Sequence, residues 1–424
     1  MTMADEADVL VVGAGAAGLA AARELSAAGL QVIVLEARDR IGGRINTHFD
    51  KFPIELGAEF VHGKPPETLA IVDRARLTLQ KVPNRHWYWE NGVLVKSGEF
   101  WSKVEDVMDE MSRYAGTDLS FAEFLNNYKR KTKIVDVEEM ATLYVEGFHA
   151  ARADNISVQG LNKTNKAAEE IDDDKQFRIR DGYGLLMQAL HDEAVAGGAS
   201  FRLETTVTEV HWRRNVVDVV TDGPARFKAR QVLITLPLSL LQNGQVRFTP
   251  TLDGNQEAAR QLAMGHVVKV MLRFREPFWQ ELTFVHAPSE SLPTWWTQFP
   301  ADSPLLAGWA GGPRAERLAL ESEDSLLDHA LQSLSHVFQT SRNFLEQQLE
   351  AFYTHNWQSD PLSAGAYSYI PVGGYEAQAQ LAEPVEDTLF FAGEATNTQG
   401  HHGTVHGAIA SGLRAASEIM NLSA

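Results

Sequence analysis

The stretch from Val9 to Leu35, VLVVGAGAAGLAAARELSAAGLQVIVL, constrains the fold more tightly than any other part of the chain. Val9 to Val12 form a continuous apolar run that predicts a buried strand ending at Gly13. Residues 16–28 carry apolar groups at helical spacing, and residues 32–35 form a second buried run, so the segment reads as a βαβ opening. Gly13, Gly15 and Gly18 complete a GxGxxG pattern at the strand-to-helix turn, the context in which that pattern binds a dinucleotide. The first glycine permits the turn, the second leaves room for a pyrophosphate beside the backbone, and the third lets helix pack closely on strand. The helix N-terminus adds free N–H groups and partial positive charge. Glu36 follows 18 residues after Gly18, placed to accept hydrogen bonds from ribose hydroxyls and to repel a 2′-phosphate. The nucleotide is therefore FAD or NAD rather than NADP.

A chain of 424 residues is too long for one ordinary core and suits two domains, one of them split along the sequence. Its composition, 44% hydrophobic and 22% charged with 9 Trp and 20 Phe, belongs to a packed globular protein. The 38 basic and 56 acidic residues leave a formal charge of -18, which argues against nucleic acid or an anionic membrane as partner and favours a cationic one. There is no cysteine, which excludes disulfides, thiolate metal sites, cysteine nucleophiles and cysteinyl cofactor linkages. Met1 to Ala7 hold neither a basic nor an apolar leader-like region, and no run of about 18 apolar residues offers a membrane span. A soluble, cytoplasmic monomer or homodimer is expected.

From about residue 65 to 175 the texture changes to charged, amphipathic segments, 100–114 and 135–148 among them, which predict a mostly helical insertion. After Asp181-Gly182-Tyr183-Gly184, a helix over 185–196 is predicted to lead into strands at 201–203, 207–212, 216–221 and 231–234 that return to the first domain. A strand over 267–274 and the tryptophans Trp295, Trp296 and Trp309 suggest a second sheet. A buried strand at 389–392 and an Ala-rich helix over 404–420 close the chain. The expected class is α/β: a Rossmann-like cofactor domain in three pieces, 1–75, 181–245 and 356–424, beside an α+β substrate domain. That second domain combines a helical insertion, 76–180, with a sheet, 246–355.

Glu36-Ala37-Arg38-Asp39-Arg40-Ile41-Gly42-Gly43-Arg44 continues the nucleotide unit with glycines and three arginines able to meet a pyrophosphate. With Glu55-Leu56-Gly57-Ala58-Glu59-Phe60-Val61-His62-Gly63, this run resembles the flavin monoamine and polyamine oxidase family. The resemblance recurs in order at Asp181-Gly182-Tyr183-Gly184, Thr235-Leu236-Pro237 and His266-Val267-Val268-Lys269 ahead of Glu276-Pro277-Phe278-Trp279. It continues at Gly365-Ala366-Tyr367-Ser368-Tyr369 and Phe391-Ala392-Gly393-Glu394, and is weakest over 65–175. It implies an FAD site with Gly13, Gly15, Ala17, Gly18, Glu36, Ala37, Arg38, Gly43 and Arg44 at the nucleotide end. Gly57, Ala58, Glu59, Val207, Gly393 and Glu394 would add contacts. Thr404 and Val405 would begin the closing helix beneath the flavin, their N–H groups facing negative charge on the reduced ring. Ala366 stands where covalent monoamine oxidases bear the flavin-linked cysteine, so a non-covalent FAD is implied.

The implied activity is hydride removal from a carbon beside an amine nitrogen, giving an imine, with O2 reduced to hydrogen peroxide. Only the neutral amine reacts, and from a lysine-like pKa of about 10.4 reaching it at pH 7 costs roughly 4 to 5 kcal/mol. A dry aromatic pocket lowers that cost by desolvating the ammonium. Lys269 lies in an apolar strand, an unfavourable place for an unpaired ammonium. By the resemblance it reaches flavin N5 through a water and assists reoxidation, while Tyr367 forms one wall of an aromatic cage near Trp357. Thr404 stands where the opposite wall is usual and is a candidate substrate contact, so the cage is one-sided or completed from elsewhere. Glu59 is expected to face the substrate ammonium, and His62 to act as a hydrogen-bonding or protonic switch. Related amino-acid oxidases bear a carboxylate-binding arginine at the position of Phe60, and Glu59 would repel a carboxylate. His401, His402 and His406 lack acidic or cysteine partners at ligand spacing, so no metal is expected. Three readings stay open: an oxidase of a polyamine or arylalkylamine, a flavin desaturase or protoporphyrinogen-type oxidase of the same fold, and a flavin-bearing scaffold whose cage has decayed.

Overall fold

The computed structural model describes residues 5–90, 92–96, 98–132, 137–279 and 281–422. Asp5–Val12 and Val32–Leu35 are parallel neighbours, and each residue from Val9 to Val12 and from Val32 to Leu35 is buried. A strand covered on both faces needs no polar alternation, which is why these runs are uniformly apolar. The helix Ala16–Ala27 packs in one cluster with the closing helix Val405–Asn421, and Leu19 and Leu25, fully buried there, contribute about 2 kcal/mol each. Gly13 sits at φ +108°, and a Cβ on Gly18 would lie 2.0 Å from the Gly13 carbonyl oxygen, so neither position tolerates a side chain.

The first sheet runs Ser200–Arg202, Val32–Leu35, Asp5–Val12, Arg226–Ile234, Val216–Thr221, Val207–Arg213 and Arg247–Thr249, with Leu389–Phe391 parallel to Arg226–Ile234. Strands from widely separated stretches of sequence therefore share one sheet. Arg247–Thr249, placed by expectation in the substrate domain, pairs here instead, because Phe248 completes an apolar cluster with Val210 and Val246.

The second sheet runs Leu349–Thr354, Val267–Phe274, Leu305–Gly311, Thr294–Thr297, Phe284–His286, His86–Glu90 and Val93–Lys96. Its last two strands correct the helical reading of residues 65–175. That segment does hold helices, at Pro66–Arg74, Gly98–Ser112, Phe121–Thr132, Val137–His149 and Val158–Glu170. It also gives the second sheet a hairpin, because the aromatic run His86–Glu90 finds a parallel partner in Phe284–His286, which no local period reveals. Residues 133–136, where the helix over 135–148 was expected to start, lie outside the described residues. A small sheet of Val61–His62, Gln176–Ile179 and Leu79–Val82 lies beside the segment that carries Glu59. Among the described residues, no helix is long and apolar enough to cross a membrane.

Glu55 is buried, accepting hydrogen bonds from the Tyr183 N–H and the Thr47 hydroxyl, both at 2.7 Å. Burial pushes its carboxyl from 4.5 up to about 7. A folded-state value above the unfolded one means that the native state binds the extra proton within this window, so stability is lost as pH rises through it. Glu55→Gln should therefore raise the melting temperature by a few degrees at about pH 8 and give no gain near pH 5. Equal shifts at the two pH values in a melting experiment would contradict this assignment.

Candidate active site

One cavity of about 1910 Å³, lined by both sheets, runs from the glycine turn to the hairpin that begins at His86. Gly13, Gly15, Ala17, Glu36, Ala37 and Arg38 line its first end. Gly43, Arg44, Gly57, Ala58 and Val207 continue the wall, and Gly393, Glu394, Thr404 and Val405 face them from the closing segment. Gly18 does not reach the cavity; it lies against Gly13, as its packing role requires.

The charged groups at this end are fixed before any ligand arrives. The Glu36 carboxylate accepts from the N–H groups of Ala14 at 2.7 Å and Arg38 at 2.9 Å. The Arg38 guanidinium is paired to Asp360 at 2.9 Å and donates to Ser363 at 2.9 Å. Arg40, expected to help meet a pyrophosphate, instead donates to the carbonyls of Ile41, Gly43 and Ile45 and so holds the loop. Arg44 is paired to Glu394 at 2.8 Å and donates to the Ala366 carbonyl at 2.7 Å. Burial alone would raise the Glu394 carboxyl, but Arg44 and hydrogen bonds from Ser368 and Gly403 outweigh it and hold the group below its ordinary value.

A Cβ on Gly15 would meet nothing within 4 Å, and one on Gly43 would meet only the Gly15 Cα at 3.5 Å. Two backbone segments thus leave an open groove between a helix N-terminus and Glu36, which is the shape and polarity that a dinucleotide pyrophosphate requires. The residues present fit FAD. At the far wall Thr404 caps the closing helix, its hydroxyl accepting from the Gly407 N–H at 3.0 Å and donating to the His401 carbonyl at 2.6 Å. The hydroxyl thus gives its proton to His401 and its oxygen to the cap, while Thr404 still lines the cavity.

At the reacting end Lys269 is 3% exposed and lines the cavity. Its ammonium donates to Glu59 at 2.8 Å and to the Gly57 carbonyl at 3.2 Å, and lies 5.4 Å from the Trp296 ring centroid. Glu59 does not offer the free carboxylate expected of it. It also accepts from Arg178 at 2.7 Å, Trp296 at 3.0 Å and Gln298 at 3.2 Å. Burial opposes its charge, yet Lys269 and Arg178 prevail and lower its carboxyl to about 2. A carboxylate between two cations presents no net repulsion, so the expected exclusion of acidic substrates by Glu59 falls away. Arg178 is in turn committed to Glu59 and to the carbonyls of Thr297 at 3.0 Å and Phe299 at 3.4 Å.

Tyr367 lines the cavity and donates its hydroxyl to the Phe148 carbonyl at 2.7 Å; burial pushes the phenol above its ordinary value. Trp309 packs with it in a small cluster, and stands opposite Lys269 in the strand register. Phe60, Trp296 and Trp309 follow one another along the wall at centroid distances of 5.6 and 5.8 Å. His62 Nδ1 lies 3.6 Å from an Asp173 carboxylate oxygen, with the Phe148 ring edge-on at 5.8 Å. His401, His402 and His406 also line the cavity, and burial lowers all three, His402 to about 4 and His406 to about 3. Among the described residues no group of three or more side chains could hold a metal ion.

Sequence reasoning missed Arg178, Trp296, Gln298 and Trp309 as site residues. It also missed the acidic lining away from the glycines, where Glu105, Asp109, Glu169, Asp172, Asp173 and Asp174 border the cavity. The tryptophans were visible only as sheet formers, and Arg178 meets Glu59 from a strand 119 residues away.

The family model for flavin-containing amine oxidoreductases matches residues 16–420. Polyamine oxidase 3 of Oryza sativa subsp. japonica is 29% identical over 447 residues, covering 96% of this chain and 88% of that protein. Lysine-specific histone demethylase 1 homolog 2 of Arabidopsis thaliana is 31% identical over 450 residues, covering 98% of this chain and 59% of that protein. A putrescine oxidase solved with putrescine superposes with a TM-score of 0.84 at 23% identity, over 99% of this chain and 100% of the other, which establishes likeness of fold.

Proposed function

The chain belongs to the flavin-containing amine oxidoreductases, and from that premise we propose that it is an FAD-dependent oxidase of primary or secondary amines, with a diamine or polyamine as the preferred substrate. The carrying observation is one cavity that starts at the glycine turn and ends in an aromatic chamber holding the buried ammonium of Lys269. FAD held by Gly13, Gly15, Glu36, Arg38, Gly43 and Arg44 would supply the two-electron chemistry, with hydride accepted from the carbon beside the nitrogen and both electrons, with two protons, returned to O2 as hydrogen peroxide.

The protein's own groups do the rest. Glu105, Asp109, Glu169, Asp173 and Asp174 draw a cationic amine toward the chamber, against which Arg85 and Lys96 are the cations lining that part of the cavity. Phe60, Trp296, Trp309 and Tyr367 exclude water and favour the neutral amine that reacts. His62, with Nδ1 toward Asp173, offers Nε2 to the substrate's ammonium proton. Lys269 serves the return of electrons to oxygen. Ala366 carries no nucleophile for a covalent flavin link, so FAD should be released on denaturation.

Polyamine oxidase relatives and the acidic lining support the diamine or polyamine reading over an arylalkylamine. A peroxide assay with spermine, spermidine, putrescine, phenylethylamine and leucine tests it. Peroxide is expected with at least one of the first three and none with leucine, because Phe60 offers no guanidinium to a carboxylate and the Lys269 ammonium is already hydrogen-bonded to Glu59 and the Gly57 carbonyl. Turnover of leucine alone would overturn the substrate class.

A further inference from the structure

Lys269, Arg178 and Glu59 form a buried cluster whose charges do not cancel. Two cations and one anion leave one positive charge, and the side chains of Lys269, Glu59 and Arg178 are 2%, 2% and 7% exposed. A lysine that merely needed neutralising would be satisfied by Glu59 alone. The added guanidinium makes the cluster costly to bury unless something negative faces it at some stage of the protein's work. Thr297, Phe299 and Gly57 contribute carbonyl dipoles to the two cations, which orient them without removing the charge. Glu55 is the other nearby acid, and burial pushes its carboxyl up to about 7, so it compensates only in part.

The geometry separates the two cations by function. Lys269 lines the cavity, whereas Arg178 lies behind Phe60, its guanidinium 4.6 Å from that ring centroid. Glu59 bridges them, and its remaining contacts to Trp296 and Gln298 tie it to the second sheet. Resting on the reading of Lys269 given above, we infer that Glu59 and Arg178 are positioning residues for Lys269. They hold its ammonium at the chamber wall and leave one uncompensated positive charge there, matched to the negative charge that arrives when the cofactor is reduced.

The test uses the FAD-bound protein and four variants, Arg178→Met, Glu59→Gln, Lys269→Met, and Glu59→Gln combined with Lys269→Met. Arg178→Met keeps the Lys269–Glu59 pair and removes the added charge together with the hydrogen bonds of Arg178 to Glu59, Thr297 and Phe299, so the flavin potential, which responds to charge, is its decisive readout. Its flavin midpoint potential should fall by about 30 mV, equivalent to tenfold in the two-electron reduction equilibrium. After photochemical reduction, its reoxidation by O2 should slow on the order of tenfold. Melting of the variants should show Glu59 and Lys269 to be non-additive, the second substitution costing less once the first is present. An unmoved potential in Arg178→Met, or strict additivity of Glu59 and Lys269, overturns the proposal. Because the flavin is reduced by light, the measurement stands even if every amine fails to react, an outcome that would sink the substrate reading alone.

Discussion

Lys269→Met is expected to slow reoxidation of the reduced protein by O2 roughly a hundred- to a thousandfold, the loss that follows removal of one preorganised electrostatic group. Methionine keeps the length and fills the strand, while the hydrogen bonds to Glu59 and Gly57 disappear. Glu59 remains paired to Arg178 at 2.7 Å, so the substitution strands no buried carboxylate and the fold should survive. Reduction by the amine should change far less, since hydride leaves a neutral amine and needs no ammonium from the protein. Rapid-mixing measurements of the two half-reactions separate these effects. Equal slowing of both would assign Lys269 to the architecture of the chamber instead.

Gly15→Val should yield a folded but colourless protein. The site of the new side chain is open, with nothing within 4 Å of a Cβ there, so no clash disturbs the βαβ unit. It would, however, occupy the groove beside Gly43 that we propose for the pyrophosphate at the helix N-terminus. Losing one charge-assisted contact costs about 2 kcal/mol, and with the steric conflict FAD affinity should fall by at least roughly a hundredfold. Gly18→Val should behave differently: its Cβ would meet the Gly13 carbonyl at 2.0 Å, so it should lower the melting temperature as well. FAD titration followed by melting distinguishes the pair, and retention of yellow colour by Gly15→Val would refute the placement of the pyrophosphate.

The contrast between these glycines shows what was readable in the sequence and what was not. The turn, its helix and Glu36 lie within one continuous stretch whose periods and spacing are local, and they fold as that stretch predicts. Val267–Phe274 was legible for the same reason, an apolar strand interrupted by a lysine. The environment of that lysine was not legible. Glu59, Arg178 and Trp296 come from three segments that converge only in the folded chain, so Arg178 and Trp296 gave no local sign of a site and Glu59 was singled out without the cations that pair with it. Glu59 was therefore assigned to the substrate, although two cations of the protein already claim it. The strands His86–Glu90 and Val93–Lys96 were lost similarly, because the first becomes a strand by pairing with Phe284–His286. Thr404 was read from its position opposite Tyr367, while the helix it caps determines where its hydroxyl points.

The most direct measurement of the central claim is anaerobic mixing of the FAD-loaded protein with putrescine, spermidine or spermine while the visible flavin absorption is followed. The account predicts bleaching by at least one of them, with colour restored and peroxide formed when O2 is admitted. A protein that binds FAD and keeps its full colour with every amine offered would contradict it.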